Sequence, residues 1–441
     1  MLTGSVSDNL LSENYICTCK KKVVPLLRVG IYQNHTYLYI MKQVFPLFIL
    51  SIVALCAALT GCDERFETPE RNNTLLWPAY CPETKGWGFI NTKGEFEIQP
   101  VYSGIVHGFS CGYALVEMTK NNFEQTKSMF FIDKKGNIKQ GLYDYADDFY
   151  YNISTIGLNG KYGFMNTSFK FTCEPTFDAL GRMGKNGLAP AQQEDIGTKF
   201  TYVDKYGHTK INALYDKAYD FDGDVAIVAI GFLHGTIDQK GNFILPPRYD
   251  YLTSCGNGIT LGMRWLEAAW KIYAPDGKQL THLTITDAGT CFDNDLLPIQ
   301  VDDKWMYIST IDGSPKLGYI QSGDSVSDGI FDMASCFYDG HAVVRRDGYS
   351  EVIDTQGNTV MTLPEEDSFS TLFLNGLALV YTYPQNSTDC PSYRYVDINN
   401  NVVYSWTENC GRNNVIAHKP SADKSDLLEM TLHFDSRKLH Y

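Results

Sequence analysis

The sequence lacks the short motifs that mark most catalytic and metal sites. Its nine histidines form no H-x-H or H-E-x-x-H pattern, so zinc ligation is not indicated. No G-x-S-x-G element and no phosphate-binding glycine loop occurs, and none of the eight cysteines after Cys62 forms a C-x-x-C pair. We therefore expect no catalytic residue, no bound cofactor and no metal site.

Basic residues are also scarce. The chain has 37 Lys and Arg against 51 Asp and Glu, a formal charge of -14. Residues 1–61 hold five of the basic and two of the acidic residues, so residues 62–441 hold 32 and 49, a net charge of -17. Such a surface repels nucleic acid and other acidic polymers, which leaves neutral glycans or basic protein surfaces as preferred partners.

Two acidic patterns deserve a chemical test. Asp220, Asp222 and Asp224 alternate as in a calcium loop, but the glycine comes too early and no glutamate follows at the twelfth position, so a solvated loop is favoured. Carboxylates from different repeats could also face each other at the separation that glycoside hydrolases use. The spacing along one chain does not reveal such a pair, and a hydrolase remains the third function class.

Residues 41–62 have the layout of an export signal. Lys42 precedes an apolar run that is short for a membrane span, and Leu59-Thr60-Gly61-Cys62 ends the run. This segment resembles a bacterial lipoprotein signal, and the resemblance implies cleavage before Cys62 and lipidation of Cys62. The alternative is an uncleaved N-terminal anchor helix. Either way, we expect the rest of the chain to leave the cytoplasm.

The signal divides the first part of the chain. Residues 1–40 are interpreted as upstream translation ahead of Met41, or alternatively as a long basic extension of the signal, and residues 41–61 as the signal peptide. Residues 62–76 are interpreted as a tether. Their acidic start, Asp63-Glu64-Arg65-Phe66-Glu67, resembles the surface-export signal of some lipoproteins, whereas an aspartate directly after the cysteine retains others at the inner membrane. The predicted location is the cell envelope, at the outer membrane or cell surface.

A strand and turn pattern recurs over most of the remaining chain. In its first copy, Gly86-Trp87-Gly88-Phe89-Ile90 predicts a strand, Gly94 closes a hairpin turn, and Phe96-Glu97-Ile98 predicts the paired strand. Gly88 lets a neighbouring backbone approach, and Pro100 belongs at an edge or strand end. Gly112, Ala114 and Val116 then alternate with larger residues, which predicts a strand with one closely packed face.

The turn glycine marks the repeats. It recurs at Gly94, Gly136, Gly207, Gly241, Gly277, Gly313 and Gly357, at intervals of 42, 71, 34, 36, 36 and 44 residues. The long interval hides a unit at Lys161–Asp178 that has lost its turn glycine, and Asn400 takes the glycine's place in a last, degenerate unit. A Tyr-Asp corner also recurs, as in Tyr143-Asp144 and Tyr215-Asp216. The count is about nine units.

These features resemble the tryptophan-glycine (WG) repeat family of bacterial envelope and secreted proteins. Only Gly86-Trp87-Gly88 matches the name literally, and the resemblance implies an architecture and a cellular setting without catalytic residues. Repeats of this length predict an all-β, β-propeller-like array over residues 77–404, with an open solenoid of stacked hairpins as the alternative. Residues 405–441 are then a cap or closing strand, because Leu428, Met430, Leu432 and Phe434 share one face.

The cysteines fall into two groups. Cys111, Cys255 and Cys336 occupy corresponding connectors of different repeats, where small buried thiols are expected. Cys390 and Cys410 flank one short hairpin region and are a possible disulfide in an oxidising compartment.

Aromatic residues concentrate in the connectors between strands, where repeat proteins build recognition surfaces. They are either ligand platforms or blade cores, and they are Tyr145, Phe149, Tyr150, Tyr151, Tyr219, Phe221, Tyr251, Trp265 and Trp270. Residues 143–151 and 215–224 combine such aromatics with carboxylates. The favoured interpretation is a membrane-anchored lipoprotein whose non-catalytic body binds an envelope glycan or protein. A scaffold that docks partner proteins is the second function class.

Overall fold

The computed structural model describes residues 75–121, 124–193, 197–267, 269–290, 294–322, 325–384 and 390–407. Over these residues the chain forms 36 β-strands and no helix. The strands form ten antiparallel sheets, in each of which consecutive strands pair in chain order. One sheet is a two-stranded hairpin, β27–β28, and the other nine are the blades of a β-propeller. Within the described ranges, the predicted all-β propeller with about nine units is therefore confirmed.

The strands of the first three blades have the following bounds. Blade 1 contains β1 (Trp77–Cys81), β2 (Gly86–Ile90) and β3 (Phe96–Tyr102). Blade 2 contains β4 (Gly104–Ser110), β5 (Tyr113–Asn121), β6 (Glu124–Asp133) and β7 (Ile138–Tyr143). Blade 3 contains β8 (Tyr145–Ala146), β9 (Ile153–Leu158), β10 (Lys161–Asn166) and β11 (Phe171–Phe177).

The next three blades continue the pattern. Blade 4 contains β12 (Ala179–Leu180), β13 (Ala189–Gln192), β14 (Phe200–Val203) and β15 (Thr209–Tyr215). Blade 5 contains β16 (Lys217–Asp222), β17 (Val225–Ile230), β18 (Leu233–Ile237) and β19 (Phe243–Tyr249). Blade 6 contains β20 (Tyr251–Ser254), β21 (Thr260–Arg264) and β22 (Ala269–Tyr273).

The last three blades include the extra hairpin. Blade 7 contains β23 (Asp287–Ala288), β24 (Leu296–Val301), β25 (Lys304–Ser309) and β26 (Pro315–Leu317), and β27 (Tyr319–Ser322) and β28 (Ser325–Gly329) follow it. Blade 8 contains β29 (Met333–Ala334), β30 (His341–Arg346), β31 (Tyr349–Asp354) and β32 (Thr359–Thr362). Blade 9 contains β33 (Asp367–Phe369), β34 (Leu377–Thr382), β35 (Ser392–Asp397) and β36 (Val402–Thr407).

The ring closes by contacts between blades 1 and 9. Trp77 donates from Nε1 to the carbonyl of Leu374 at 2.9 Å, and Tyr395 donates from its hydroxyl to the carbonyl of Pro78 at 2.8 Å. Trp87, the residue that gives the repeat its literal Trp-Gly, lies 5.5 Å from the ring of Tyr80 and 6.2 Å from that of Trp406. These contacts join the two ends of the array, so the open solenoid is excluded for the described chain.

The sequence unit straddles two blades. In a four-stranded blade, the Trp-Gly strand and the strand after its glycine turn are the third and fourth strands; in blade 1, which has three strands, they are β2 and β3. The following Gly-x-Ala-x-Val strand is the second strand of the next blade. In β5, the first of these second strands, Ala114, Leu115 and Val116 are all fully buried, because both faces of the strand pack against other strands. The prediction of a single closely packed face was wrong here. Gly112 lies in the preceding turn with φ +86° rather than in the strand.

Five of the seven glycine turns are held by the Asx residue three positions before the glycine, namely those at Gly94, Gly136, Gly207, Gly241 and Gly357. Asp238 is typical: its Oδ1 accepts from the backbone N–H groups of Lys240 and Asn242 at 2.8 and 2.9 Å, and Gly241 has φ +84°. These bonds to the charged form lower the pKa of the Asp238 carboxyl, against the effect of its burial, which raises it. In the unit that has lost its glycine, Phe169 adopts φ +57°, and Asn400 adopts +61°. The same backbone is therefore built with and without glycine.

The strand pairing around Trp87 follows the sequence pattern. Ile90 pairs with Phe96 and Phe89 with Ile98, with irregularities in the register between Trp87 and Ile90. A Cβ on Gly88 would lie 2.4 Å from the carbonyl oxygen of Ile98, so only glycine allows β3 to cross this closely. The close approach of β3 thus explains why a glycine follows Trp87 in this blade.

The Tyr-Asp corner locks neighbouring blades together. Tyr215, at the end of blade 4, is buried against the core of blade 5, in a cluster with Val228 and Ile237. Asp216 pairs with Lys199 of its own blade and accepts a 2.8 Å hydrogen bond from the backbone N–H of Gly231 in blade 5. Each corner therefore supplies one apolar and one polar contact between blades.

Candidate functional site

A polar cleft of about 240 Å³ lies where the first strands of blades 3, 4 and 5 meet. Except for Thr155 of β9, the residues that line it belong to the first strands β8, β12 and β16 or directly follow them. The cleft is lined by two aspartates, one arginine, one tyrosine, one threonine and two small or apolar residues, namely Tyr145, Asp147, Thr155, Leu180, Gly181, Arg182 and Asp220.

The centre of the cleft is an ion pair between blades 3 and 4. Arg182 donates from Nε to Oδ2 of Asp147, and from a terminal nitrogen to Oδ1 at 3.2 Å. The Asp147 side chain is only 3% exposed and that of Arg182 is 19% exposed. Two parallel bonds hold the guanidinium in one orientation. Burial alone would lower the pKa of Arg182, but the electrostatic interactions with Tyr150, Asp147 and Asp220 raise it, so Arg182 stays charged.

Asp147 is saturated by its neighbours. Besides Arg182, its carboxylate accepts from the Tyr145 hydroxyl at 3.3 Å and from the backbone N–H of Asp148 at 2.9 Å. Ser154 donates to the Asp147 carbonyl at 2.7 Å. A carboxylate held by this many bonds is a fixed acceptor that orients Arg182.

Blade 5 supplies the third wall. The Asp220 carboxylate accepts from the backbone N–H of Arg182 at 2.9 Å, so blade 5 is bonded to the same residue that blade 3 holds. A Cβ on Gly181 would lie 2.2 Å from this carboxylate, which is why a residue without a side chain precedes Arg182. With two aspartates and one arginine, the lining has a formal charge of -1.

The aromatic wall of the cleft is Tyr145, which is 40% exposed. Its ring packs edge-on against Tyr162 at 5.7 Å, and burial of its hydroxyl raises its pKa, so it is neutral near pH 7. The Arg182 guanidinium lies over a second aromatic ring, 4.7 Å from the centre of the Tyr150 ring. The cleft therefore offers an aromatic surface beside fixed hydrogen-bonding groups, the combination that binds small polar ligands.

The two connectors that the sequence analysis selected, residues 143–151 and 215–224, both contribute to this cleft. The selected aromatic residues divide between core and surface. Phe149, Tyr150 and Phe221 are buried, whereas the exposed members of the set are Tyr145, Tyr219, Tyr251 and Trp265.

Sequence reasoning missed Arg182 and the rest of blade 4's contribution. A signal was available: counted from the corner residues Tyr143, Phe177 and Tyr215, the residues Asp148, Arg182 and Asp220 occupy the same register position, and the ion-pair partner Asp147 lies one position before Asp148. One basic residue between two acidic ones in neighbouring repeats indicates contact across blades.

The remaining predicted sites fall as follows. Cys62 and Cys410 lie outside the described residues. Cys390 is disulfide-bonded. Because Cys410 lies outside the described residues, the pairing of Cys390 with Cys410 stays a prediction. Cys255 and Cys336 are buried thiols, whereas Cys111 is half-buried with φ +48°. In the described part of the chain no cluster of three or more His, Cys, Asp or Glu could hold a metal ion. No helix among those residues is long and apolar enough to cross a membrane.

Solved structures with a similar strand arrangement share little sequence with this chain. A eukaryotic initiation factor is 10% identical, with a TM-score of 0.48, over 74% of this chain and 94% of its own. Hsv2 from Kluyveromyces lactis is 9% identical, with a TM-score of 0.31, over 59% and 95%. The dihydro-heme d1 dehydrogenase NirN is 10% identical, with a TM-score of 0.38, over 76% and 78%. All three TM-scores are below 0.5.

The repeat sequence itself gives the clearest comparison. No curated protein matches the chain. The family model of the WG containing repeat matches residues 87–121, 162–195, 200–231 and 235–260. The matches begin at the first residue of a strand or one or two residues after it, in β2, β10, β14 and β18. The chain is thus a β-propeller in which four segments match the WG containing repeat.

Proposed function

We propose that the protein is a cell-envelope lipoprotein whose propeller binds a neutral glycan, without turning it over, in the cleft between blades 3, 4 and 5. The observation that carries this proposal is the arrangement of the exposed Tyr145 ring beside the fixed Asp147–Arg182 pair. An aromatic ring stacks on the apolar face of a sugar, and the guanidinium that Asp147 holds in place can donate to its hydroxyls. The net negative charge of the body and of the cleft disfavours acidic ligands.

The absence of turnover follows from the contacts of the carboxylates in this proposal. A glycoside hydrolase needs one carboxyl group that protonates the leaving group. The Asp147 carboxylate is paired with Arg182 and accepts two further hydrogen bonds, so protein groups occupy its oxygens. The Asp220 carboxylate accepts from the Arg182 backbone. The pair therefore orients a ligand and is not arranged as an acid and a base.

Tyr145→Ala is expected to weaken glycan binding at least about tenfold, the effect of losing a central aromatic contact. The full chain, purified in detergent, is first screened on a glycan array, and the affinity for the best ligand is then measured by calorimetry. Tyr251→Ala is the matched control, because Tyr251 also follows a Tyr-Asp corner, is 47% exposed and packs edge-on against Trp270 at 5.4 Å.

The outcomes separate the three function classes. Loss of binding in Tyr145→Ala alone supports the cleft. Equal binding in parent and both variants places the ligand elsewhere. Release of reducing sugar from a polysaccharide panel indicates a hydrolase, and a stable protein complex from envelope extract with no glycan bound indicates a scaffold.

The membrane anchor has its own test. Because Leu59-Thr60-Gly61-Cys62 ends an apolar run, the mature chain is expected to begin at Cys62 with two or three acyl chains. Mass spectrometry of the N-terminal peptide from the membrane fraction measures this directly. A Cys62→Ala variant should accumulate with residues 41–61 still attached. A soluble wild-type species that retains those residues contradicts the anchor.

A further inference from the structure

Two neighbouring blades expose large apolar side chains at the tips of equivalent turns. The turn between the second and third strands of blade 5 ends in Phe232, which is 96% exposed, and Leu233, the first residue of β18, is 40% exposed. The same turn of blade 6 carries Trp265, 72% exposed, and Leu266, 94% exposed. We call these two turns, with the four apolar residues that they present, the apolar turn pair. Exposed apolar residues concentrated on one edge of a soluble body mark a surface that something else covers.

Other blades show that the fold does not require apolar residues at this turn. The corresponding positions are Asn159-Gly160 in blade 3, Asp302-Asp303 in blade 7 and Asp347-Gly348 in blade 8, all with positive φ. These are the residues that a two-residue hairpin normally uses. Blade 5 keeps glycine at the first of these positions, Gly231, and has Phe232 at the second, whereas the longer turn of blade 6 begins with Trp265 and Leu266. The apolar side chains therefore have a role other than closing the hairpin.

A backbone hydrogen bond to the preceding Tyr-Asp corner holds each of the two turns. The backbone N–H of Gly231 donates to Asp216, and that of Trp265 donates to Asp250, each at 2.8 Å. In blade 3 the N–H of Asn159 donates to Asp144 in the same way, at 2.5 Å. The anchoring bond is thus a backbone feature shared by polar and apolar turns, and the side chains at the tips are presented outward on a rigid base.

We propose that the apolar turn pair inserts into the interfacial layer of the lipid bilayer that carries the Cys62 anchor, which makes this inference dependent on the proposed lipoprotein. Tryptophan, phenylalanine and leucine are the residues that enter this layer. Two separate tips suit a deformable bilayer better than a shaped protein pocket. Arg264 and Lys271 are both paired with Glu267, so the attraction is apolar and needs no anionic lipid.

The tether is long enough for this orientation. Strand β1 runs from the tether towards the face that carries the turn between second and third strands, and its five residues span roughly 17 Å. Residues 63–76 could extend to roughly 46 Å. A chain anchored at Cys62 can therefore pass the height of a blade and still let the opposite face contact the same bilayer.

The experiment uses tryptophan emission from the full chain reconstituted in phosphatidylcholine vesicles that carry a spin label near the top of the acyl chain. The chain has six tryptophans, of which Trp265 is exposed on a tip. Spin-labelled lipid should quench the wild type, and Trp265→Phe should remove most of the quenchable emission. The double variant Phe232→Ser and Leu266→Ser should lower the quenching at least about twofold.

Ile311→Ser is the matched control. Ile311 is 77% exposed, in the turn between the third and fourth strands of blade 7, on the opposite face. It should leave the quenching unchanged. Quenching that persists in Trp265→Phe, or that falls equally in Ile311→Ser, overturns the insertion. So does a Trp265 emission that an added envelope protein shields from iodide while labelled lipid does not quench it.

The anchor and the insertion can fail separately. The acylation of Cys62 is read by intact mass on the same sample. An acylated chain whose Trp265 is not quenched overturns the insertion and keeps the anchor. An unacylated chain whose Trp265 is quenched when vesicles are added overturns the anchor and keeps the insertion.

Discussion

Arg182→Ala is expected to lower the free energy of unfolding by about 3 kcal/mol, because it leaves the Asp147 carboxylate buried without its partner. The Asp147 side chain is only 3% exposed, so water does not replace the two lost hydrogen bonds. The change also removes the guanidinium that packs on Tyr150, whereas the backbone N–H at position 182 can still donate to Asp220. Denaturant unfolding of parent and variant, monitored by fluorescence, measures the difference.

The surface pair Lys161–Asp178 is the control for this prediction. Its side chains are 41% and 37% exposed, and an exposed ion pair contributes about 0 to 1 kcal/mol. Lys161→Ala should therefore change stability little. The double variant Asp147→Ala with Arg182→Ala should be more stable than Arg182→Ala alone, since no unpaired charge remains. Equal losses from Arg182→Ala and Lys161→Ala would show that the cleft pair has no special place in the fold.

The arginine variant also separates stability from ligand binding. Arg182→Lys keeps the charge and loses the bidentate geometry. If the pair only supports the fold, Arg182→Lys should recover part of the stability and all of the affinity for a ligand of the cleft. If Arg182 also contacts the ligand, the affinity stays low while stability recovers. This comparison distinguishes a positioning group from a binding group.

How far the sequence predicts the fold depends on the range of the interaction. Turn positions were readable because a positive φ selects glycine or asparagine locally, as at Gly241 and Asn400. The phase of the blades was not readable, because a Trp-Gly strand and the Gly-x-Ala-x-Val strand after it look like one unit until their pairing partners are known. Closure was also left open, since it depends on contacts such as Tyr395 with Pro78, which are 317 residues apart in the chain.

The candidate site shows the same limit. Residues 143–151 and 215–224 could be chosen by composition, because aromatic and acidic residues in connectors are unusual locally. Arg182 could not be chosen this way, because its own connector has neither feature. Its role comes from blade 4 lying between the two acidic blades, and that arrangement becomes visible only when the repeats are aligned on their corner residues.

Closure of the ring leads to the last prediction, which concerns Gly94. This glycine has φ +80°, and a Cβ at its position would lie 2.1 Å from the carbonyl oxygen of Val403 in blade 9. Gly94→Ala therefore adds a methyl group against the backbone of the closing blade as well as backbone strain. The two effects together are expected to lower the free energy of unfolding by about 3 kcal/mol.

Gly348→Ala isolates the strain, because Gly348 has φ +87° and nothing lies within 4 Å of its added Cβ. That variant should lose about 1 kcal/mol, the cost of a left-handed conformation with a side chain. Denaturant unfolding gives both values. An equal loss in the two variants would show that the clash with Val403 is absorbed without cost and that the blades fit together loosely.

Hydrogen exchange locates the effect of Gly94→Ala within the ring. A closed ring protects its first and last blades because each covers the edge of the other, whereas an open array frays from its ends. The alanine should therefore speed exchange in β1 and β36, next to the contacts of Trp77 with Leu374 and Tyr404 with Tyr80. The blade 4 strands, far from the junction, should keep their protection. Uniform exchange throughout the array would mean instead that the nine blades unfold as one cooperative unit.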